Sequence, residues 1–297
     1  MPLTPVVSVS PVVLPAPGRG DDLQIRVSAP ATGSDLPVIV FSHGFGWGLH
    51  GYGRLTDHWA AAGFVVVQPT HLDSRTLGIT PDDPRFPGIW RIRRDDLTRA
   101  LDHLDLAERA VPGLAGRVDT GRIAVTGHSW GAQTAGMLLG ARVLDRDGVP
   151  GEDLSDPRVR AGVLLAATGR GGADLSPFAA EHFPFMSPDF TGMTPPVLIV
   201  AGDKDQSQLT NRGPDWFTDP YHLSPGPKSL LTLHDAEHSL GGVAGHELRE
   251  TTDESPERVA LIQRLSAAYL RSALDPADPA WATASAEPSP LGRIESK

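Results

Sequence analysis

Gly127-His128-Ser129-Trp130-Gly131 is the strongest chemical signal in the sequence. The serine follows the run Arg122 to Thr126 (RIAVT) directly and precedes the small-residue stretch AQTAGMLLGA. That setting predicts a tight strand-to-helix turn, with glycines where any side chain would collide with the neighbouring strand and helix. A helix N-terminus beneath Ser129 aims the Trp130 N–H at the oxyanion that forms when the serine attacks a carbonyl. The chemistry is nucleophilic acyl transfer, which also needs a base and a group to orient that base.

Candidates for both lie downstream. Val197 to Ala201 runs into Gly202-Asp203-Lys204-Asp205, where two carboxylates compete. Turn geometry favours Asp205, which has room to come back over the sheet edge, and gives Asp203 to the turn itself. After Lys228 to Leu233 comes His234-Asp235-Ala236-Glu237-His238. His238 lies in the loop, from which an imidazole can reach back to Ser129, whereas His234 at the strand end reads as structural. The same stretch matches H-x-x-E-H, a zinc pattern that needs a helix; the preceding strand and the following Leu240-Gly241-Gly242 argue against one, so no metal is expected. Earlier, Ser42-His43-Gly44-Phe45-Gly46 follows an apolar run, and the Phe45 N–H is the candidate second oxyanion donor. His43 is expected to shape that turn.

These residues require a framework of strands ending at one edge. Pro37 to Ser42, Phe64 to Gln68, Arg122 to Thr126, Gly162 to Ala167, Val197 to Ala201 and Leu230 to Leu233 are short apolar runs of the kind buried on both faces of a parallel sheet. Pro11 to Leu14 and Leu23 to Val27 suggest edge strands. Helical spacing appears over Leu55 to Ala62, Ile92 to Ala110, Ala132 to Leu144 and Pro256 to Leu270, the last with Ser255 as its cap. Alternation of strand and helix implies an α/β doubly wound, mostly parallel sheet flanked by helices. One domain is expected over 1–274, with a mobile tail over 275–297. The proline- and phenylalanine-rich segment Gly169 to Pro195 reads either as a short lid or as a surface loop.

A net charge of −10 offers no basic surface for phosphates, so nucleic acid is not an expected partner. No run approaches the roughly 20 apolar residues of a membrane span, and the N-terminus lacks a basic start with an apolar core; a cytoplasmic location is expected. With zero cysteines, covalent chemistry falls to serine, carboxylates and histidine.

Taken in order, SHGFG, GHSWG, AGDKD and DAEHSLGG resemble the α/β-hydrolase superfamily over residues 36 to 272, in particular its lidless or short-lid branch. That branch includes dienelactone-hydrolase-like proteins, chlorophyllases, platelet-activating-factor acetylhydrolases and cutinase-like polyester hydrolases. Unlike dienelactone hydrolases, this chain has no cysteine nucleophile; it also lacks the disulfide usual in secreted polyester hydrolases. The resemblance implies the chain order Ser129, Asp205, His238, which sets His43 aside as base and strengthens Asp205 over Asp203. It further implies cleavage of a carboxylic ester without a cofactor. A lactone, amide or thioester substrate, or ligand binding without turnover, are the alternatives. Phe45, Trp47, Trp90, Trp130, Phe183, Phe185 and Leu240 are the candidate pocket lining, pointing to a small-molecule substrate with an apolar or aromatic group. Trp59 and Trp216 are assigned to packing. Arg75 or Arg91 could meet a substrate carboxylate, though a surface salt bridge is the expected role.

Overall fold

A computed structural model describes residues 4–80, 82–245 and 251–297. The apolar runs become β3 (Leu36–Ser42), β4 (Val65–Pro69), β5 (Val118–His128), β7 (Val159–Leu165), β9 (Val197–Gly202) and β10 (Lys228–Leu233), flanked by β1 (Val6–Leu14), β2 (Leu23–Pro30) and β11 (Gly292–Ser296). They form one sheet in the order β1-β2-β4-β3-β5-β7-β9-β10-β11. The six inner strands are parallel, while β1, β2 and β11 run antiparallel to their neighbours. Every residue of β4, β9 and β10 is buried, as a sheet covered on both faces demands.

Helices α1 (Gly53–Ala61) and α7 (Pro256–Leu274) pack together, and so do α2 (Ile89–Asp102) and α4 (Trp130–Leu138). After β3 the chain moves to one side for β4 and returns to the other side for β5. The carboxyl ends of β3 and β5 therefore open a crevice where the winding reverses, the place where an open α/β sheet binds ligands. Both SHGFG and GHSWG sit there.

Several boundaries depart from the expectations. The helix expected over 92–110 is two, α2 and α3 (Leu104–Ala110), because His103 leaves helical geometry and turns its Nδ1 to the Arg99 carbonyl, ending the first helix. The helix expected over 132–144 stops at Leu138. Gly140, at φ 105°, lies so close to the Gly192 carbonyl that a Cβ would sit 2.2 Å from its oxygen. Beyond it β6 (Arg142–Val143) pairs with β8 (Pro188–Asp189). Ser255 does cap α7, accepting from the Arg258 N–H.

The segment 275–297 is not a tail. It forms α8 (Ala280–Ser285), whose Trp281 stacks edge-on to Tyr269 of α7, and β11, which pairs along all of Ser229 to Leu233. Pairing covers what would otherwise be the bare edge of β10, satisfying its outer backbone groups. Residues 169–195 carry α5 (Pro177–His182) and β8, and are tied down by Gln133 Nε2 to the Phe185 carbonyl and Trp216 Nε1 to the Arg170 carbonyl. Among the described residues no helix is long and apolar enough to cross a membrane.

Candidate active site

Ser129 stands at the end of β5 with φ 56° and ψ −124°, a conformation a side chain tolerates only under constraint. Its N–H donates to the Leu165 carbonyl of β7. The crowding expected at the two glycines is severe: a Cβ on Gly127 would lie 2.2 Å from the Gly131 oxygen, and one on Gly131 would lie 2.0 Å from the Ser42 oxygen. Close packing of β3, β5 and α4 thus lifts Ser129 clear of the sheet.

Asp205 follows β9 and His238 follows β10. The His238 Nδ1 lies 3.0 and 3.1 Å from the two Asp205 oxygens, and its Nε2 lies 2.8 Å from Ser129 Oγ. A carboxylate only accepts, so Nδ1 carries the proton and Nε2 is left to accept from the serine hydroxyl. Asp205 is fully buried, whereas the His238 side chain is 40% exposed and faces the crevice. Burial raises the Asp205 carboxyl above its ordinary pKa, partly offset by the His238 hydrogen bond. Asp203 instead accepts from the Asp235 N–H and holds the β10 turn, and His234 points away to the Pro290 carbonyl. Among the described residues no cluster of histidines and carboxylates is arranged to hold a metal.

The N–H groups of Phe45 and Trp130 donate to no acceptor among the described residues, while their neighbours are committed: Gly44 N–H to Tyr52 Oη and Gly46 N–H to Asp73. His43 shapes the turn, its Nδ1 donating to the Gly44 carbonyl and its Nε2 accepting from the His71 N–H. Burial, then the nearby Arg93 charge, lowers its pKa to about 4, consistent with a neutral ring.

Beside Ser129 runs a row of stacked rings, Phe45 on Trp130, Trp130 on Phe185, and Phe185 on Trp90, with centroids 5.4, 5.5 and 6.5 Å apart. Phe183 meets Trp130 and Phe185 edge-on. The outer rings border a groove of about 320 Å³ lined by Pro87, Trp90, Leu144, Pro184 and Phe185 on one hand and by charged Arg91, Asp145, Arg146 and Glu152 on the other. Two expected lining residues belong elsewhere. Leu240 is fully buried in the core, and Trp47 packs edge-on to Tyr52 and over Gly51. Phe178, half exposed, packs edge-on to Phe183. Trp59 and Trp216 are buried in packing roles. Arg91 lies over Trp90 and pairs with Glu152 at the surface, and Arg75 packs against Gly46.

Behind the oxyanion turn lies a polar frame that sequence reasoning missed. Arg93 is fully buried, with Nη1 2.7 and 2.6 Å from the Asp73 oxygens, Nη2 on the His43 carbonyl and its guanidinium 4.9 Å from the Trp130 ring centroid. Asp73 in turn accepts from Gly46, so the pair clamps the turn at both ends. Arg19 and His71 share Asp96 nearby. A signal existed: Arg93 falls on the same stripe of α2 as buried Ile89, Leu97 and Ala100.

A profile of the alpha/beta hydrolase family matches residues 39–295, which takes in the oxyanion turn, the serine elbow and the loops carrying Asp205 and His238. No curated protein matches the chain. The sheet order, with its crevice at the reversal of winding, has the architecture this family implies, and the chain belongs to the alpha/beta hydrolase family.

Proposed function

We propose that the protein is a serine hydrolase that cleaves carboxylic esters through an acyl-enzyme. The observation that carries this reading is the unbroken line from Asp205 through His238 to Ser129 Oγ, with both contacts near 3 Å. His238 Nε2 takes the hydroxyl proton as Ser129 Oγ bonds to the ester carbonyl carbon, and Asp205 steadies the resulting imidazolium. The Phe45 and Trp130 N–H groups receive the oxyanion; removing one such donor costs about 3 to 4 kcal/mol of barrier. Collapse expels the alcohol, which takes the proton from His238. Water then attacks the acyl-enzyme with His238 as base, the carboxylic acid leaves and Ser129 regains its proton.

The aromatic row beside the nucleophile supports a substrate with an apolar or aromatic group. Hydrolysis of p-nitrophenyl esters of increasing acyl length tests the reading, with Ser129→Ala and a chelator control in parallel. Turnover that disappears in Ser129→Ala and ignores the chelator is the expected result. Turnover of lactones, amides or thioesters alone would reassign the substrate, and a folded protein with no turnover would mark a binding protein.

A further inference from the structure

His128, the residue before the nucleophile, has no role in the acyl-transfer steps, yet it is buried and both its ring nitrogens are engaged. Its Nδ1 lies 2.9 Å from Tyr52 Oη and its Nε2 lies 2.8 Å from the His238 main-chain carbonyl. Tyr52 Oη also lies 3.1 Å from the Gly44 N–H. The two ends of this chain are main-chain groups that cannot change roles: Gly44 N–H donates and the His238 carbonyl accepts. One proton arrangement satisfies every member. Gly44 donates to Tyr52, Tyr52 donates to Nδ1, and Nε2–H donates to His238. A second tie runs from the Tyr52 N–H to the Ala244 carbonyl at the far end of the base loop.

We infer that Tyr52 and His128 are positioning residues that hold three separate turns in one register: the oxyanion turn at Gly44-Phe45, the serine elbow, and the loop bearing His238. The base loop is also fastened by Asp253, which accepts from Glu237 N–H, Gly241 N–H and Ser239 Oγ, and by the Lys204 N–H, which donates to the Ala236 carbonyl. Among the described residues, His128 alone fastens the His238 main chain itself to the strand that carries Ser129. With this bond the base cannot drift from the nucleophile without breaking a half-buried hydrogen bond. The Tyr52 link keeps the oxyanion donor next to Gly44 aligned with the same pair.

The inference rests on reading Ser129, Asp205 and His238 as the reacting groups, and the test separates the two. Loss of ester turnover and of fluorophosphonate labelling in Ser129→Ala checks the reading itself. Given that, His128→Leu is expected to lower kcat about 10- to 100-fold with KM within about threefold, since misplacement by about 1 Å is enough for such losses. His128→Gln, whose amide can still donate to the His238 carbonyl, recovers much of the loss. Tyr52→Phe lowers kcat about tenfold, and the Tyr52→Phe/His128→Leu double variant is no worse than the weaker single, as members of one network behave. A kcat for His128→Leu within twofold of wild type, a loss confined to KM, no recovery in His128→Gln, or additive losses would overturn the inference. Independently of activity, nitrogen-15 NMR of the wild type should show His128 as the neutral Nε2–H tautomer. A Nδ1–H tautomer, or a mixture, would overturn the inference even if no variant folds.

Discussion

Acidification tests the buried polar frame behind the candidate site. His43 and His128 have pKa values lowered from 6.5 to about 4 and about 3, chiefly by burial, with Arg93 the next cause for His43 and His238 for His128. In the unfolded chain both rings take up protons as the pH falls through 6.5, while in the folded protein they remain neutral. Stability therefore declines from the ordinary imidazole value down to the folded values. At about 1.4 kcal/mol per pH unit, the two rings together remove roughly 5 kcal/mol by about pH 4.5. His71, also lowered well below its ordinary value by burial, adds to the loss. Asp96, pushed up to about 6 by burial, and Asp205, also raised, bind protons in the folded state over the same interval and work in the opposite direction, Asp96 by about 2 kcal/mol. The net loss from His43, His128 and Asp96 is about 3 kcal/mol, against a typical total of about 5 to 15 kcal/mol. Urea midpoints measured from about pH 7 to about pH 4.5 would register it, and His128→Gln should make the dependence shallower by up to about 1.4 kcal/mol per pH unit. A midpoint that stays level or rises on acidification would refute the assignment of these rings as neutral and buried.

Other outcomes follow from individual contacts. Asp205→Asn should cut kcat by about 10³- to 10⁴-fold without lowering the urea midpoint; burial raises this carboxyl's pKa, so its charge costs stability above the ordinary carboxylate range and the amide carries no such cost. Arg93→Met leaves Asp73 buried and unpaired, for a loss of about 3 to 5 kcal/mol by denaturant titration; unchanged stability would refute the clamp. Gly131→Ala places a Cβ 2.0 Å from the Ser42 oxygen and should abolish soluble expression or activity, whereas Gly88→Ala, with open space around it and φ −98°, should cost far less. Phe185→Ala breaks the stacked row at its middle and should raise KM for aromatic acyl esters more than for acetate; equal changes for both would remove the row from the binding site.

The candidate site residues could be picked out because each sits in a local signature. The pentapeptide around Ser129 needs glycines wherever strand and helix approach too closely for a Cβ, so the elbow was readable from five residues and their flanks. The six inner strands were legible as unbroken apolar runs, since a parallel sheet buried on both faces excludes polar residues. Asp205 and His238 were placed by their position after strands, while the sequence alone left Asp203 and His234 as rivals that differ by a few residues of turn.

What only the tertiary structure decided concerns residues whose partners are distant in the chain. Arg93 and Asp73, Arg19 and Asp96, and Tyr52 and His128 are charged or polar groups that sequence patterns assign to surface or turn, and each is buried only because another element supplies its partner. The C-terminal segment looked like a tail because its composition is poor in strand formers. It becomes β11 because β10 presents an open edge, and the free energy of pairing belongs to that edge rather than to the segment. Leu240 and Trp47 looked like pocket residues because they flank the candidate site loops in sequence, but backbone direction at the turns sends one into the core and the other onto Tyr52. Local sterics write themselves into sequence as glycines and apolar runs. Long-range pairing leaves no local mark, because either partner alone is an ordinary polar residue.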